Sequence, residues 1–262
     1  MQVRLIAKTT GYEGTEYHNK SIDQIVCGIA RLSSSREVNE LFDEPHKLIR
    51  HCLLHGHFSI YEMSNLVFEI STSRAMGREL IRHGKLSGIQ EYSQRYQAVA
   101  SYEPIELREQ SKNNRQSSTT VIDSSSFRLN VNGKDQDAES HIDDALSYIH
   151  NLYNALLREG VAKECSRFLL CENTSTTIIM NFRVRELITF LNVRLHKTAQ
   201  KEIRLIAEFI KDIFIKECPI ISSALYNFEG AYNMHILDRL VLEKYKVYEQ
   251  AKELLNVKRF TP

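Results

Sequence analysis

NLVFEISTSRAMGRELIRH, residues 65–83, changes period in its middle. In the first half Leu66, Phe68 and Ile70 alternate with Asn65, Val67 and Glu69, the pattern of a strand with one face turned to a core. From about Ser73 to His83 the spacing predicts a helix. Strand and helix thus follow one another directly, and the fold turns on what flanks them.

Towards the N-terminus, EPHKLIRHCLLHG predicts a helix. Pro45 suits its first turn, Leu48, Ile49, Cys52 and Leu53 form a stripe, and Gly56 is a stop. Ser21 and Gln24 make a capping box ahead of Ile22, Ile25, Val26 and Ile29. Val3, Leu5 and Ala7 alternate with polar neighbours apart from Ile6, which predicts a first strand. Towards the C-terminus, residues 109–142 are polar, rich in Ser and Asn and nearly free of aliphatic periodicity. They are expected to form a long polar loop, flexible or ordered by a ligand, and too poor in apolar residues for a second domain.

DDALSYIHNLYNALLREG returns to helix, with Leu146, Ile149, Leu152, Tyr153 and Leu156 on a stripe and Gly160 as its stop. From about Asn181 to Lys216 the pattern is helical, as one long or two consecutive helices ended by Pro219. An amphipathic run, LDRLVLEKYKVYEQAKELL, follows near the end of the chain. Strands and helices mix without a regular βαβ alternation, so the fold class is α+β, with one domain over residues 1–262.

Composition narrows the functional classes. Apolar residues make up 42% of 262, enough for a core. The net charge of +1 gives no global field for nucleic acid or an anionic membrane, so any electropositive site is local. Five scattered cysteines without a CxxC pair argue against a disulfide framework or zinc ribbon and for buried thiols in a reducing compartment. MQVRLIAKTT lacks the pattern of a signal peptide, and no stretch reaches the ~18 apolar residues of a membrane span. A cytoplasmic protein is expected. No GxGxxG or GxxxxGK[ST] fingerprint occurs.

Three groups of residues carry chemistry. RHGKLSGIQEYSQRY, residues 82–96, packs Arg82, His83, Lys85, Glu91, Ser93 and Arg95 around glycines. Arginine forks, a lysine and close backbone approach suit a phosphate. On an extended segment Glu91, Ser93 and Arg95 face one side, so the last two can hold one phosphate together. A solvated loop with surface ion pairs is the equally available alternative. His46, His51, His55 and His57 form the second group. The four-residue spacing of His51 and His55 suits a metal, yet no HExxH pattern or carboxylate partner accompanies it, and cap or surface histidines are the favoured reading. His57, just past Gly56, is the exception that can point at a site. In the third group Arg183, Phe190, Arg194 and Thr198 fall on one helical stripe, as snorkelling side chains or as arginines reaching a cleft. Arg167 stands beside an FLL run that reads as buried.

These segments together resemble the flavin-dependent thymidylate synthases. RH, then Gly84 and Lys85, then QEYSQRY are similar to that family's RHR motif and NEYSxRY segment. HGHFSIYE resembles its GHxSxxE element, and REQSKNNRQSS its RxQ…NxQGS loop without the glycine. RFLL and RVRELITFLNVRLHKTAQKEIR resemble its RxxLP and NARELxHFLxLRxxxxAQxEIR blocks. The resemblance implies a central mixed or antiparallel sheet packed by long helices and a homotetramer with shared active sites. It also implies conversion of dUMP to dTMP, with methylenetetrahydrofolate as carbon donor and FAD, reduced by NADPH, as hydride donor.

By the same resemblance Glu79, Glu91, Ser93, Arg95, Arg167 and Arg194 bind the nucleotide. Ser33, His57, Ser59, Arg82, His83, Lys85, Arg183, Arg185, Thr189 and Thr198 lie along the flavin. Arg194 and His57 are the candidates for catalysis, Arg194 at the pyrimidine carbonyl. No resident metal is implied. The chain departs from the family pattern at inserted Gly84, and at Lys85, Gly88, Arg183, Thr189, Cys171 and Glu79. The departures leave open a paralogue acting on dCMP or UMP, by methylation or hydroxymethylation, or an inactive nucleotide-binding homologue.

Overall fold

The computed structural model describes residues 1–34, 40–83, 88–99 and 101–225. Lys85, Gly84 and the final amphipathic run lie outside the described residues. The fold is built on a four-stranded sheet in the order β1 (Gln2–Lys8), β2 (Asn65–Ser73), β8 (Ser175–Arg183), β3 (Gly88–Glu91), with every neighbouring pair antiparallel. The other elements are the short strands β4 (Arg108–Gln110), β5 (Ser118–Val121), β6 (Arg128–Val131) and β7 (Lys134–Asp137), and helices α1 to α8. The helices are α1 (Ile22–Arg31), α2 (Pro45–Leu54), α3 (Arg74–Ile81), α4 (Ala138–Arg158), α5 (Lys163–Ser166), α6 (Val184–Arg194), α7 (Lys201–Glu217) and α8 (Pro219–Leu225). The architecture is α+β, as expected.

The alternation in residues 65–70 does what it predicts. Leu66, Phe68 and Ile70 are fully buried and pair through the ladder with Phe182, Met180 and Ile178. Helix residues Leu187, Phe190, Leu191, Ile206, Ile210 and Phe214 complete this core. Each such side chain contributes roughly 1.5–3 kcal/mol by leaving water. In β1 the register shifts between Leu5 and Ala7. Ile6 is therefore the extra residue of a bulge, which accounts for its place outside the alternation. Ser21 and Gln24 form the reciprocal cap on α1. Gly56 and Gly160 stop α2 and α4 in left-handed conformations. The buried Asp23 carboxylate accepts the Ile220 and Ile221 amides, so α1 holds the start of α8.

Two expectations need correction. Residues 181–216 are not helical throughout. Asn181–Arg183 end β8, while the rest forms two consecutive helices, α6 and α7, one of the two arrangements expected. Thr176, Thr177, Ile178 and Ile179 supply the β-branched run that favours a strand, and no glycine or proline marks where it turns into helix. The stripe Arg183, Phe190, Arg194, Thr198 therefore dissolves. Arg183 caps α6, Phe190 is buried in the core, Arg194 ends the helix and Thr198 lies beyond it. The second correction concerns residues 109–142. They hold two hairpins and the first turn of α4. Asn132 and Gly133, both with positive φ, form the two-residue turn between β6 and β7. Asp137 caps α4 by accepting from the Ser140 amide at 2.7 Å.

Candidate active site

The site grows from α3. Ser73 caps it, accepting from the Met76 amide at 3.4 Å. Gly77 lies on the sheet: a Cβ there would stand 2.8 Å from Ile178 Cδ1. Glycine is what lets helix and strand come this close, and that approach sets what the polar residues of α3 reach. Arg74 Nη1 lies 3.3 Å from Glu91 Oε1, and Thr176 Oγ1 donates to the same oxygen at 3.0 Å. Glu91 is thereby held between the helix and the central strand.

At the other end of α3, Arg194 Nη1 donates to Glu79 Oε2 at 3.1 Å and Arg194 Nε donates to His83 Nε2 at 2.7 Å. His83 also meets the Phe190 ring edge-on at 5.0 Å. An imidazole that accepts from a guanidinium at Nε2 is neutral and carries its proton on Nδ1. Burial, then the charges of Arg194 and Arg82, push His83 from 6.5 down to about 4. The unfolded chain takes this proton more readily. The stability contributed is therefore complete above about pH 6.5 and lost as pH falls towards 4. Unfolding by denaturant across that range should show a loss of at most about 3 kcal/mol, absent in His83→Gln.

A second group forms around Glu164. Ser93 to Gln97 is a turn, closed by Tyr96 and Gln97 amides on Ser93 O at 3.1 and 3.2 Å. Ser93 and Arg95 are thus not on the extended face that their spacing predicts. The turn still joins them, since the Arg95 amide donates to Ser93 Oγ at 3.4 Å. Arg95 Nη2 reaches Glu164 Oε2 at 3.1 Å, and Arg167 Nε donates to the Glu164 carbonyl at 3.3 Å. The run beside Arg167 is not buried. Phe168 is 83% exposed in a 3₁₀ turn, its ring 5.9 Å from the Arg167 guanidinium. Three apolar letters in a row say nothing about burial when the segment is a surface turn.

A third group sits where the 3₁₀ turn Phe58–Glu62 meets α6. Glu62 pairs with Arg185, and with Arg183 Nη1 at 3.6 Å. Glu186 also holds Arg183. The Arg185 guanidinium stands 6.0 Å from the Phe58 ring, and Thr189 Oγ1 donates to the Arg185 carbonyl at 3.1 Å. His57 heads the turn, exposed, with its ring 5.9 Å from that of His51. Ser59 is exposed within the turn. Among the described residues no three His, Cys, Asp or Glu side chains are arranged to hold a metal ion.

The remaining candidates lie elsewhere. Ser33 donates to the Ala30 carbonyl in the 3₁₀ turn Leu32–Ser34, Arg82 is exposed just past α3, and Thr198 Oγ1 bonds His196 Nδ1 at 2.7 Å. Sequence reasoning missed Arg74, Thr176, Glu62 and Glu164. Only Glu62 carried a signal, as the final residue of HGHFSIYE.

Carboxylate-held arginines gather at the ends of α3, β3 and α6 of this α+β protein. Comparison with known proteins says which class it belongs to. Residues 16–220 match the family model described as "Thymidylate synthase complementing protein". A flavin-dependent thymidylate synthase of Synechocystis sp. is 34% identical over 225 residues, covering 86% of this chain and 99% of that protein. A probable flavin-dependent thymidylate synthase of Paramecium bursaria Chlorella virus 1 is 35% identical over 207 residues, 78% of this chain and 90% of that one. The chain belongs to the flavin-dependent thymidylate synthase family and is an enzyme of it.

The crystal structure of a UMP/dUMP methylase, PolB from Streptomyces cacaoi, bound with 5-Br dUMP, has the same fold. Its TM-score is 0.64, with 21% identity over 87% of this chain and 95% of that one. The donor set fits the cofactor in the family's name. The guanidinium groups of Arg183 and Arg185, steadied by Glu62, and the hydroxyls of Ser59 and Thr189 suit the diphosphate of a flavin dinucleotide.

Proposed function

We propose that this enzyme methylates dUMP to dTMP, with methylenetetrahydrofolate as carbon donor and FAD, reduced by NADPH, as hydride donor. The observation that carries the reading is Arg194 held between Glu79 and neutral His83. A uracil ring that loses its C5 proton gathers negative charge on its carbonyl oxygen. A fixed, partly desolvated guanidinium favours that charge. Glu79 orients Arg194, and neutral His83 anchors it without adding a like charge. Ser93, Arg95 and Arg167 take the phosphate, and Glu91 the ribose or base. Ser93 serves binding rather than attack, since among the described residues no base is hydrogen-bonded to its hydroxyl to activate it.

FAD, when bound, supplies the hydride. Arg82, Arg183, Arg185, Ser59 and Thr189 would hold it, with Ser33, His57, His83, Lys85 and Thr198 following the family pattern. The working form in this reading is a homotetramer with shared sites. The test is C5-proton release from dUMP with reduced flavin and methylenetetrahydrofolate. Release is expected; none under any reducing condition overturns the reading.

Glu79 favours a second reading. Arg194 occupies its Oε2, and a carboxylate accepts from an exocyclic amine where the family's amide can face a carbonyl. On that basis the substrate is dCMP, or UMP as a further candidate. Comparing turnover of dUMP, dCMP and UMP decides it, and preference for dUMP removes it.

A further inference from the structure

A cavity of about 410 Å³ lies between the β4–β5 hairpin and the start of α7. Of the residues that line it, only Thr198 is among the active-site candidates. Among the described residues five cationic side chains converge there, Arg108, Arg115, Lys197, Lys201 and Arg204, against one lining carboxylate, Glu106. That carboxylate is already shared. Lys201 Nζ reaches both its oxygens at 2.7 Å, and Arg108 Nη1 reaches one at 3.0 Å. Arg108 is nearly buried and takes a second partner, Glu202, at 2.5 Å. Among the described residues the Arg115 and Lys197 side chains meet no acidic group. Arg204 donates to the Lys197 carbonyl at 3.1 Å and stands 4.0 Å from Glu208, its partner one helical turn on. The first amides of the 17-residue α7 open nearby, and Gln200 places no side-chain cap on them.

Glu106, Glu202 and Glu208 offset three of these cations, and an anion entering the hollow would relieve the repulsion that Arg115 and Lys197 add. Dispersed surface lysines and arginines would avoid that repulsion, and the chain as a whole is close to neutral. The volume suits a nucleotide-sized ligand rather than a lone ion. Arginine forks, an ammonium and helix-start amides together match the several oxygens of a phosphate group. We propose that this cavity is a second anion site, taking the phosphate or diphosphate group of a ligand other than the pyrimidine nucleotide. The site stands on the cavity and its charges, whatever reaction the enzyme performs.

The test is calorimetric titration of inorganic pyrophosphate into the protein saturated with dUMP and FAD, so that neither ligand's site is open. Saturable binding is expected, weakened at least about 10-fold in Arg115→Glu/Lys197→Glu and by an intermediate factor in Arg115→Gln/Lys197→Gln. Both side chains point from exposed positions, so an unchanged melting temperature checks the fold. Absence of saturable binding, or equal affinity in wild type and both variants, overturns the proposal. Tighter binding of a tri-γ-glutamate peptide than of pyrophosphate overturns the assignment to phosphate. None of these readings needs turnover, so an enzyme that fails to release the C5 proton of dUMP leaves the result interpretable.

Discussion

Arg194→Ala should lower turnover of dUMP by about 10³-fold while leaving nucleotide binding within a few-fold of wild type. Removing one preorganised donor from a developing oxyanion costs about 10²–10³ in kcat. Arg194 supplies both a donor and a charge, and it is fixed from two sides by Glu79 and His83. Arg194→Lys keeps the charge and loses the fork, so it should recover only part of the rate. A second readout separates this role from a structural one. Arg194 is one of the two charges that hold His83 down, so His83 should titrate higher in Arg194→Ala, as followed by imidazole proton shifts. Wild-type turnover in Arg194→Ala sinks the assignment.

Arg95→Ala should weaken dUMP binding by about 10- to 100-fold with little change in turnover at saturating nucleotide. A charge-assisted bond to phosphate is worth roughly 1.5–3 kcal/mol. The partner of Arg95 in the structure, Glu164, predicts an effect of opposite sign. Glu164 competes for the same guanidinium, so Glu164→Gln should tighten dUMP binding or leave it unchanged. Both side chains are more than half exposed, so the pair itself adds little stability and its loss should not unfold the protein. Titration of the three proteins with dUMP checks the order. Equal affinity in wild type and Arg95→Ala would remove Arg95 from the phosphate.

Local signals in the sequence were dependable where one neighbour decides the outcome. The Ser21–Gln24 box, Pro45 at the start of α2, and the glycines that stop α2 and α4 all depend on contacts within a few residues. The Asn132–Gly133 turn belongs with them. That dipeptide is a strong hairpin signal, and it outweighs the polar composition of the stretch around it. Strand β8 failed for another reason. Like β2 it is an inner strand paired on both sides, but its passage into α6 carries no glycine or proline to mark the boundary. The turn at Ser93 failed because two-residue spacing implies one face only while the chain stays extended.

The candidate site divides along the same line. The sequence by itself determined the periods of the core, the helix ends and the kinds of side chain available. Through motif order it also pointed to the family. Only the tertiary structure decided which acid holds which base. Arg194 meets Glu79 across 115 residues, Arg95 meets Glu164 across 69, and Arg185 meets Glu62 across 123. The first depends on how close α3 can lie on β8, which Gly77 permits, and all three on how far each charge is withdrawn from water. Distance and desolvation are properties of the packed molecule, and no spacing along the chain encodes them.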